Sequence, residues 1–434
     1  MSSFIPFIET CSQQEIDSFQ EKKLQELIAY VNGHSAFYKM HFKKHNIQPE
    51  GIKTLQDLQN IPVTTKDDLH HYNKDFICVR PDEIIDYVTT SGTLGDPLTF
   101  VLTDKDLERL AYNEYISLAC AGGSKHDIYQ LMTTIDRRFM AGMAYFLGLK
   151  KMGAGVVRVG NGMPEFQWDT INRLNPTIAI AVPSFLIKLI EFAEQNGIDY
   201  KNCSIKKIVC IGEPIRNEDF GYNTLGKRIT EKWPLELFST YASTEMGAAF
   251  TECEAGKGGH HHPELLIAEF LDDNNQPVAE GEAGELTVTT LGVEGMPLIR
   301  FKTGDICKAH YGICSCGRNT LRISPILGRK QQMIKYKGTS LYPPSLYDIL
   351  NTVPYIKNFI VEVFTNDIGT DDIAITIGAT EPPENFDKEL KDHFRAKLRV
   401  APTIILDTPE NISKRQLPEM SRKPIIFIDR RVKL

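Results

Sequence analysis

Between residues 13 and 46, apolar side chains return at helical intervals. Leu24, Leu27, Ile28 and Val31 share one face, which predicts helices. Thr64-Thr65-Lys66-Asp67-Asp68-Leu69 reads as a capped helix start, hydroxyls ahead of acidic first-turn residues. The pattern then shortens. Ile84 to Val88 and Leu98 to Leu102 predict two strands on either side of the polar stretch Thr89-Thr90-Ser91-Gly92-Thr93-Leu94-Gly95-Asp96-Pro97, and a helix follows from Asp104 to about Leu118.

The middle of the chain alternates. The β-branched runs Val156 to Val159, Ile178 to Val182 and Ile208 to Ile211 are separated by helical patterns such as Ser184 to Gln195. Strand–helix alternation of this kind predicts a parallel sheet in an α/β domain. From Leu265 to Ile299 strands and turns take over, punctuated by Gly281, Gly284, Gly292 and Gly295. A further change follows Gly328-Arg329. A helix over Ser345 to Leu350, strands over Phe359 to Phe364 and Ile373 to Ile377, and a helix over Asn385 to Leu398 make a small α+β unit. A boundary near Gln331 gives two domains, 1–330 and 331–434, as expected for 434 residues, too many for one ordinary core.

Composition narrows the function classes. A formal net charge of -7 with no long basic stripe argues against a nucleic-acid partner. No apolar stretch reaches about 18 residues, so no membrane span is expected. The N-terminus lacks a basic start followed by an apolar core, so no secretory signal is expected either. Nine cysteines in a chain of this length do not suggest a disulfide framework. Reduced thiols and a cytoplasmic location are the expectation.

Four constellations carry candidate chemistry. In the 89–97 loop two glycines let backbone approach an anion, and the hydroxyls of Thr89, Thr90, Ser91 and Thr93 can donate to phosphate; a polar β-turn uses the same residues. Tyr241-Ala242-Ser243-Thr244-Glu245 follows an apolar strand. Glu245 could hold magnesium and Tyr241 could stack on a base, although a strand-to-helix junction capped by Ser243 or Thr244 has the same composition. In Arg300-Phe301-Lys302-Thr303-Gly304-Asp305, an aspartate after a glycine turn suits two ribose hydroxyls, or no ligand at all. Finally Cys253, His260, Cys314 and Cys316 form a Cys3His set suited to tetrahedral zinc, with His261, His262 and Cys307 as substitutes. Unliganded cytosolic thiols are the alternative. Four protein ligands leave no open position, so zinc here would be structural.

The order of these segments is more specific than any one of them. Thr/Ser/Gly loop, Tyr…Thr-Glu, Thr-Gly-Asp, Gly-Arg and a small C-terminal domain with a late lysine resemble the adenylate-forming superfamily of acyl-CoA synthetases, adenylation domains and luciferases. The compact length, the early loop, Lys335-Tyr336-Lys337-Gly338-Thr339-Ser340-Leu341-Tyr342-Pro343 and the tail from Ser421 to Arg431 resemble phenylacetate–CoA ligases, from about residue 20 to the end. The fold implied is α/β: a large N-terminal adenylate-forming domain with mixed sheets and a β-rich subdomain, plus a small mobile α+β C-terminal domain.

The resemblance implies roles. Ser91, Gly92, Thr93 and Gly95 would cradle the ATP phosphates, and Gly212-Glu213-Pro214 would pack against adenine. Tyr241, Ala242 and Ser243, beside Thr244, would line the adenine, and Glu245 would ligate magnesium. Asp305 would bind ribose with help from Arg329, and Gln331 would be the hinge. Gly338 would face coenzyme A, and Lys423 would be the catalytic lysine. Phe139, Ala141 and Gly142 fall in the acyl-pocket region. Some ligases of this type carry similar Cys…His…Cys-x-Cys pairs. Two positions depart from the pattern: Asp96 stands where lysine usually precedes the loop proline, and Gln331 where the hinge is usually Asp or Lys.

The activity implied is that of an AMP-forming acid–CoA ligase for phenylacetate or a related aryl acid, with ATP, Mg2+, coenzyme A and structural Zn2+. No nucleic acid or membrane would be involved, and a homodimer is the family-based expectation. Other readings are an adenylating enzyme that passes its acyl group to a carrier protein or another nucleophile, and a zinc-stabilised nucleotide-binding regulator without catalysis, to which Asp96 lends support.

Overall fold

The computed structural model describes residues 4–90, 97–336, 339–366, 371–418 and 424–431. Contacts divide the chain into two compact units. One comprises the residues through Tyr222, Gly226–Thr303 and Cys307–Pro325; the other comprises Asn223–Leu225, Gly304–Ile306 and the chain from Ile326 onward.

The larger unit is built on a parallel sheet whose neighbours run Glu236–Ser243, Lys207–Cys210, Ile178–Ala181, Ile128–Leu131 and Gly155–Arg158. The helices Met140–Met152, Pro164–Leu174 and Pro183–Gln195 connect these strands in βαβ fashion. All four residues of Ile178–Ala181 are buried, because a parallel strand covered on both faces has no solvent side to reserve for polar residues. Leu131, Ile180, Val209 and Phe238 pack with Tyr145 and Leu149 into one core cluster.

Beyond Ser243 the sheet turns antiparallel. Ala248–Glu252 folds back on Glu236–Ser243, and Leu266–Leu271 pairs with Ala283–Thr290. Asp86–Thr89 and Thr99–Leu102 form a separate antiparallel hairpin in the register Thr89↔Thr99. The phosphate-loop residues Ser91, Gly92, Thr93, Gly95 and Asp96 lie outside the described residues, as do Gly338 and Lys423. The helix start at Thr65 has the expected cap: Thr65 Oγ1 accepts from the Asp68 amide, and the Asp68 carboxylate accepts from the Thr65 amide.

In the smaller unit, strands are ordered Thr403–Asp407, Asp371–Ala379, Ile356–Thr365 and Phe427–Asp429. The central pair is antiparallel and the outer two strands pair parallel to it. Phe394, from the helix Phe386–Leu398, is fully buried in a cluster with Val361, Val363, Ile373 and Ile375; truncating such a residue to alanine costs about 3–5 kcal/mol. Arg431 ties the chain end to the start of the unit. Its guanidinium donates to the carbonyls of Gln331 (2.8 Å) and Met333 (2.7 Å) and pairs with Asp371 and Asp429. Among the described residues, no helix is long and apolar enough to cross a membrane.

Candidate active site and metal centre

Ligands of open α/β sheets collect at the carboxyl ends of the parallel strands, and several sequence-selected residues of the larger unit stand there. Gly212-Glu213-Pro214 follows the strand Lys207–Cys210, with Gly212 at φ 76°, a conformation glycine adopts without penalty. The Glu213 carboxylate accepts from the backbone N and the hydroxyl of Ser184, both at 2.9 Å. Ser184 is in the first turn of Pro183–Gln195, a helix with no side-chain cap of its own. A carboxylate there satisfies an otherwise orphaned amide and complements the helix dipole.

Tyr241, Ala242 and Ser243 end the strand Glu236–Ser243, and Thr244 to Gly247 form the hairpin turn into Ala248–Glu252, not the start of a helix. The turn is closed by Gly247 N to Ser243 O (3.2 Å) and Met246 N to Ser243 Oγ (3.3 Å). Glu245 sits on it half-buried, with Lys66 Nζ 3.9 Å from its carboxylate. Sequence reading missed Lys66 as a partner, since 179 positions separate the two.

The acyl-pocket candidates lie at the start of Met140–Met152. Phe139 occupies the N-cap position and is half-buried, as is Ala141. Gly142 is buried against the Thr134–Ile135 backbone, where an added Cβ would come within 2.1 Å of the Thr134 carbonyl oxygen. That glycine permits the helix to approach the loop ahead of it. The same loop holds Arg137 and Arg138, both at φ 58°, and the Arg138 carbonyl accepts from the Thr89 amide at 3.0 Å.

In the smaller unit, Asp305 and Arg329 are direct antiparallel partners, with Arg329 Nε 3.4 Å from the Asp305 carboxylate. Gly304, at φ 81°, and Asp305 lie within the continuous strand Phe301–His310, so Asp305 does not follow a glycine turn as the sequence suggested.

The metal candidates converge. One donor atom from each of Cys253, His260, Cys314 and Cys316 lies within 4.8 Å of all the others. Cys253 Sγ is 3.6 Å from Cys314 Sγ, and Cys316 Sγ is 3.6 Å from His260 Nε2. Tetrahedral zinc, with Zn–S of about 2.3 Å and Zn–N of about 2.0 Å, demands edges of about 3.5–3.8 Å. The donor set therefore fits. His260 Nδ1 meets Thr320 Oγ1 at 3.3 Å, leaving Nε2 toward the thiols. Burial lowers the His260 pKa, but the Cys314 and Cys316 sulfurs outweigh it and hold His260 above its ordinary value. Gly317, at φ 94°, lets the Cys314–Arg318 knuckle close.

Of the proposed substitutes, His261 gives its Nε2 to the Leu266 carbonyl at 2.6 Å, and burial pushes its pKa down to about 4. His262 contacts Glu9 and Ser117, and neither these two histidines nor Cys307 joins the cluster. Behind the knuckle lies a network that the sequence did not suggest. Arg318, fully buried, donates to Glu9 (2.6 Å) and reaches Cys316 Sγ at 3.6 Å. Glu9, also fully buried, meets His262 Nδ1 at 2.5 Å. Burial would raise the Glu9 pKa, but His262 and Arg318 together hold it below the usual carboxylate value.

Comparison with known proteins places this geometry in a family. The family model described as AMP-binding enzyme matches residues 13–295. Phenylacetate-coenzyme A ligase of Thermus thermophilus is 30% identical over 386 residues, covering 87% of this chain and 84% of the relative. The Escherichia coli protein of the same name is 29% identical, covering 78% and 77%. Among solved structures, 2-hydroxyisobutyryl-CoA ligase bound to 2-HIB-AMP has the same fold, with a TM-score of 0.85 at 22% identity over 99% of this chain and 94% of that one. With a mixed α/β sheet like theirs and this similarity over most of its length, the chain belongs to the AMP-binding enzymes, as an AMP-forming acid–CoA ligase of the phenylacetate–CoA ligase family.

Proposed function

We propose that the enzyme activates phenylacetate or a related aryl acid as an acyl-adenylate and passes the acyl group to coenzyme A in the cytoplasm. The observation that carries this reading is the set of relatives named phenylacetate-coenzyme A ligase, 26–30% identical over about four-fifths of the chain. The half-buried Glu245 at the carboxyl edge of the sheet supports it.

An aryl carboxylate is already ionised at neutral pH, so attack on the α-phosphorus needs no strong general base. Alignment and charge then govern the rate. In this reading Ser91, Gly92, Thr93 and Gly95 cradle the phosphates, Asp305 and Arg329 hold the ribose, and Tyr241, Ala242, Ser243 and Gly212-Glu213-Pro214 frame adenine. Glu245 would hold Mg2+, which when bound neutralises phosphate charge. Lys423 stabilises the charge developing on the phosphoryl oxygens as pyrophosphate leaves. Phe139 and Ala141 bound the acid. The thiol of coenzyme A then attacks the mixed anhydride, expelling AMP, after the domain 331–434 turns about Gln331 and brings Gly338 toward the thiol.

Cys253, His260, Cys314 and Cys316 would hold a structural zinc ion. Three buried donors and the part-buried Cys316, with distances suited to a tetrahedral ion, support this reading. Metal analysis of protein purified without added zinc should return one equivalent.

Incubation with ATP, coenzyme A and a panel of aryl and short aliphatic acids tests the substrate class. Acyl-CoA and AMP should form with aryl acids and no carrier protein. Thioester formation confined to aliphatic acids, or acyl transfer only with a carrier present, would overturn the reading.

A further inference from the structure

The helix Asp104–Cys120 carries Arg109, whose guanidinium faces three backbone carbonyls from three separate segments. Nε donates to Leu291 O at 2.7 Å, Nη1 to Gly247 O at 2.6 Å and Nη2 to Leu265 O at 2.6 Å. Desolvation pulls its pKa down to about 10, so it remains charged at neutral pH. Among the described residues it forms no ion pair with a carboxylate. Withdrawing a guanidinium from water against carbonyls alone is unfavourable, and packing alone would be served better by an apolar side chain.

What the three bonds do is hold a turn. Gly247 is the last residue of the hairpin connection that bears Glu245, and at φ 52° its backbone is one few other residues adopt. A Cβ added there would press on Arg109 Nη1 at 3.3 Å. Leu265 and Leu291 stand just outside the paired strands Leu266–Leu271 and Ala283–Thr290, and Leu291 N donates to Leu265 O at 2.8 Å. Arg109 thus links the Gly247 end of the turn to the ends of the neighbouring strand pair. A cavity of about 20 Å³, room for a single water, is lined by Arg109, Met140, Thr244 and Glu245.

We infer that Arg109 is a positioning residue for Glu245, fixing the Thr244–Gly247 turn so that the carboxylate is pre-set for the divalent cation that accompanies ATP. This inference rests on the proposed role of Glu245. A lysine at 109 keeps the charge but can reach fewer carbonyls. Gly247→Ala strains the same contact and leaves the guanidinium in place.

The test is acid-dependent ATP–pyrophosphate exchange measured against Mg2+ concentration for Arg109→Lys, Gly247→Ala and Glu245→Gln, each first checked for cooperative thermal unfolding. Loss of a charged hydrogen bond should raise the half-saturating Mg2+ about tenfold in both Arg109→Lys and Gly247→Ala. The KM for the acid should stay put, and saturating Mg2+ should restore most of the exchange rate. If Glu245→Gln shifts the Mg2+ dependence and the other two do not, Arg109 has only a structural role and the inference falls. A shift in acid KM equal to that in Mg2+ would also sink it. If Glu245→Gln leaves the Mg2+ dependence unchanged, the assignment of Glu245 fails first and the inference with it.

Discussion

The candidate metal cluster and the candidate nucleotide site make opposite demands on the chain. Cys253, His260, Cys314 and Cys316 come together within one unit, backed by the fully buried Arg318 and Glu9. A structural metal cage needs all its ligands at once and close, so folding must pre-assemble it. Of the candidate nucleotide-site residues, Glu213 and Glu245 are half-buried and follow strand ends. Both belong to the larger unit; in the smaller one, Asp305 is buried within the strand Phe301–His310 beside Arg329. Loops that carry chemistry trade burial for access. Damage to the first region should therefore appear as lost stability, and damage to the second as lost rate in a protein that melts normally.

Four variants sharpen that contrast. Cys316→Ser should remove the metal and cost the most, about 5 kcal/mol or more of stability, read as zinc stoichiometry and thermal midpoint. An unchanged midpoint would place the cluster outside the stable core. Glu9→Gln should follow, at about 3–5 kcal/mol, because it leaves the Arg318 charge buried without its carboxylate. It also carries a pH signature. The Glu9 pKa is lowered in the folded protein, so its contribution is present above the unfolded value of about 4.3 and is lost as pH falls through the folded value. Denaturant titrations below about pH 5 should show a flatter acid limb for Glu9→Gln than for the parent.

The other two variants belong to the rate side. Lys423→Ala should slow adenylate formation by about 10²–10³-fold, near 3–4 kcal/mol, yet largely spare thioester formation from preformed adenylate. Equal loss in both half-reactions would contradict a lysine used only in the first. Asp305→Asn should have the smallest effect, raising the KM for ATP about tenfold with an unchanged melting curve. A stability loss larger than that of Glu9→Gln would erase the distinction between the two regions.

How far the sequence reached follows the same division. The β-branched runs at 178–182 and 208–211 gave the parallel strands within a residue or so, since buried strands have little freedom in composition. The convergence of Cys253, His260, Cys314 and Cys316 was legible because Cys-x-Cys and a distant Cys/His pair make a Cys3His set. The helix Met140–Met152 was not read as a helix. Its near-uniform apolar run has no polar face to reveal a period, and its packing depends on Gly142 meeting a loop. Glu9 with Arg318, Lys66 with Glu245, and Arg109 with Gly247 are joined only by the fold. They are separated by 309, 179 and 138 positions, and none bears a local motif.

The most direct test of the central claim, acyl-adenylate chemistry on an aryl acid, is an isotope-transfer measurement. Phenylacetate labelled with 18O in its carboxylate, turned over with ATP and coenzyme A, should deliver one labelled oxygen to AMP and none to pyrophosphate. Label in pyrophosphate or inorganic phosphate, or unlabelled AMP beside labelled substrate that has been consumed, would contradict it.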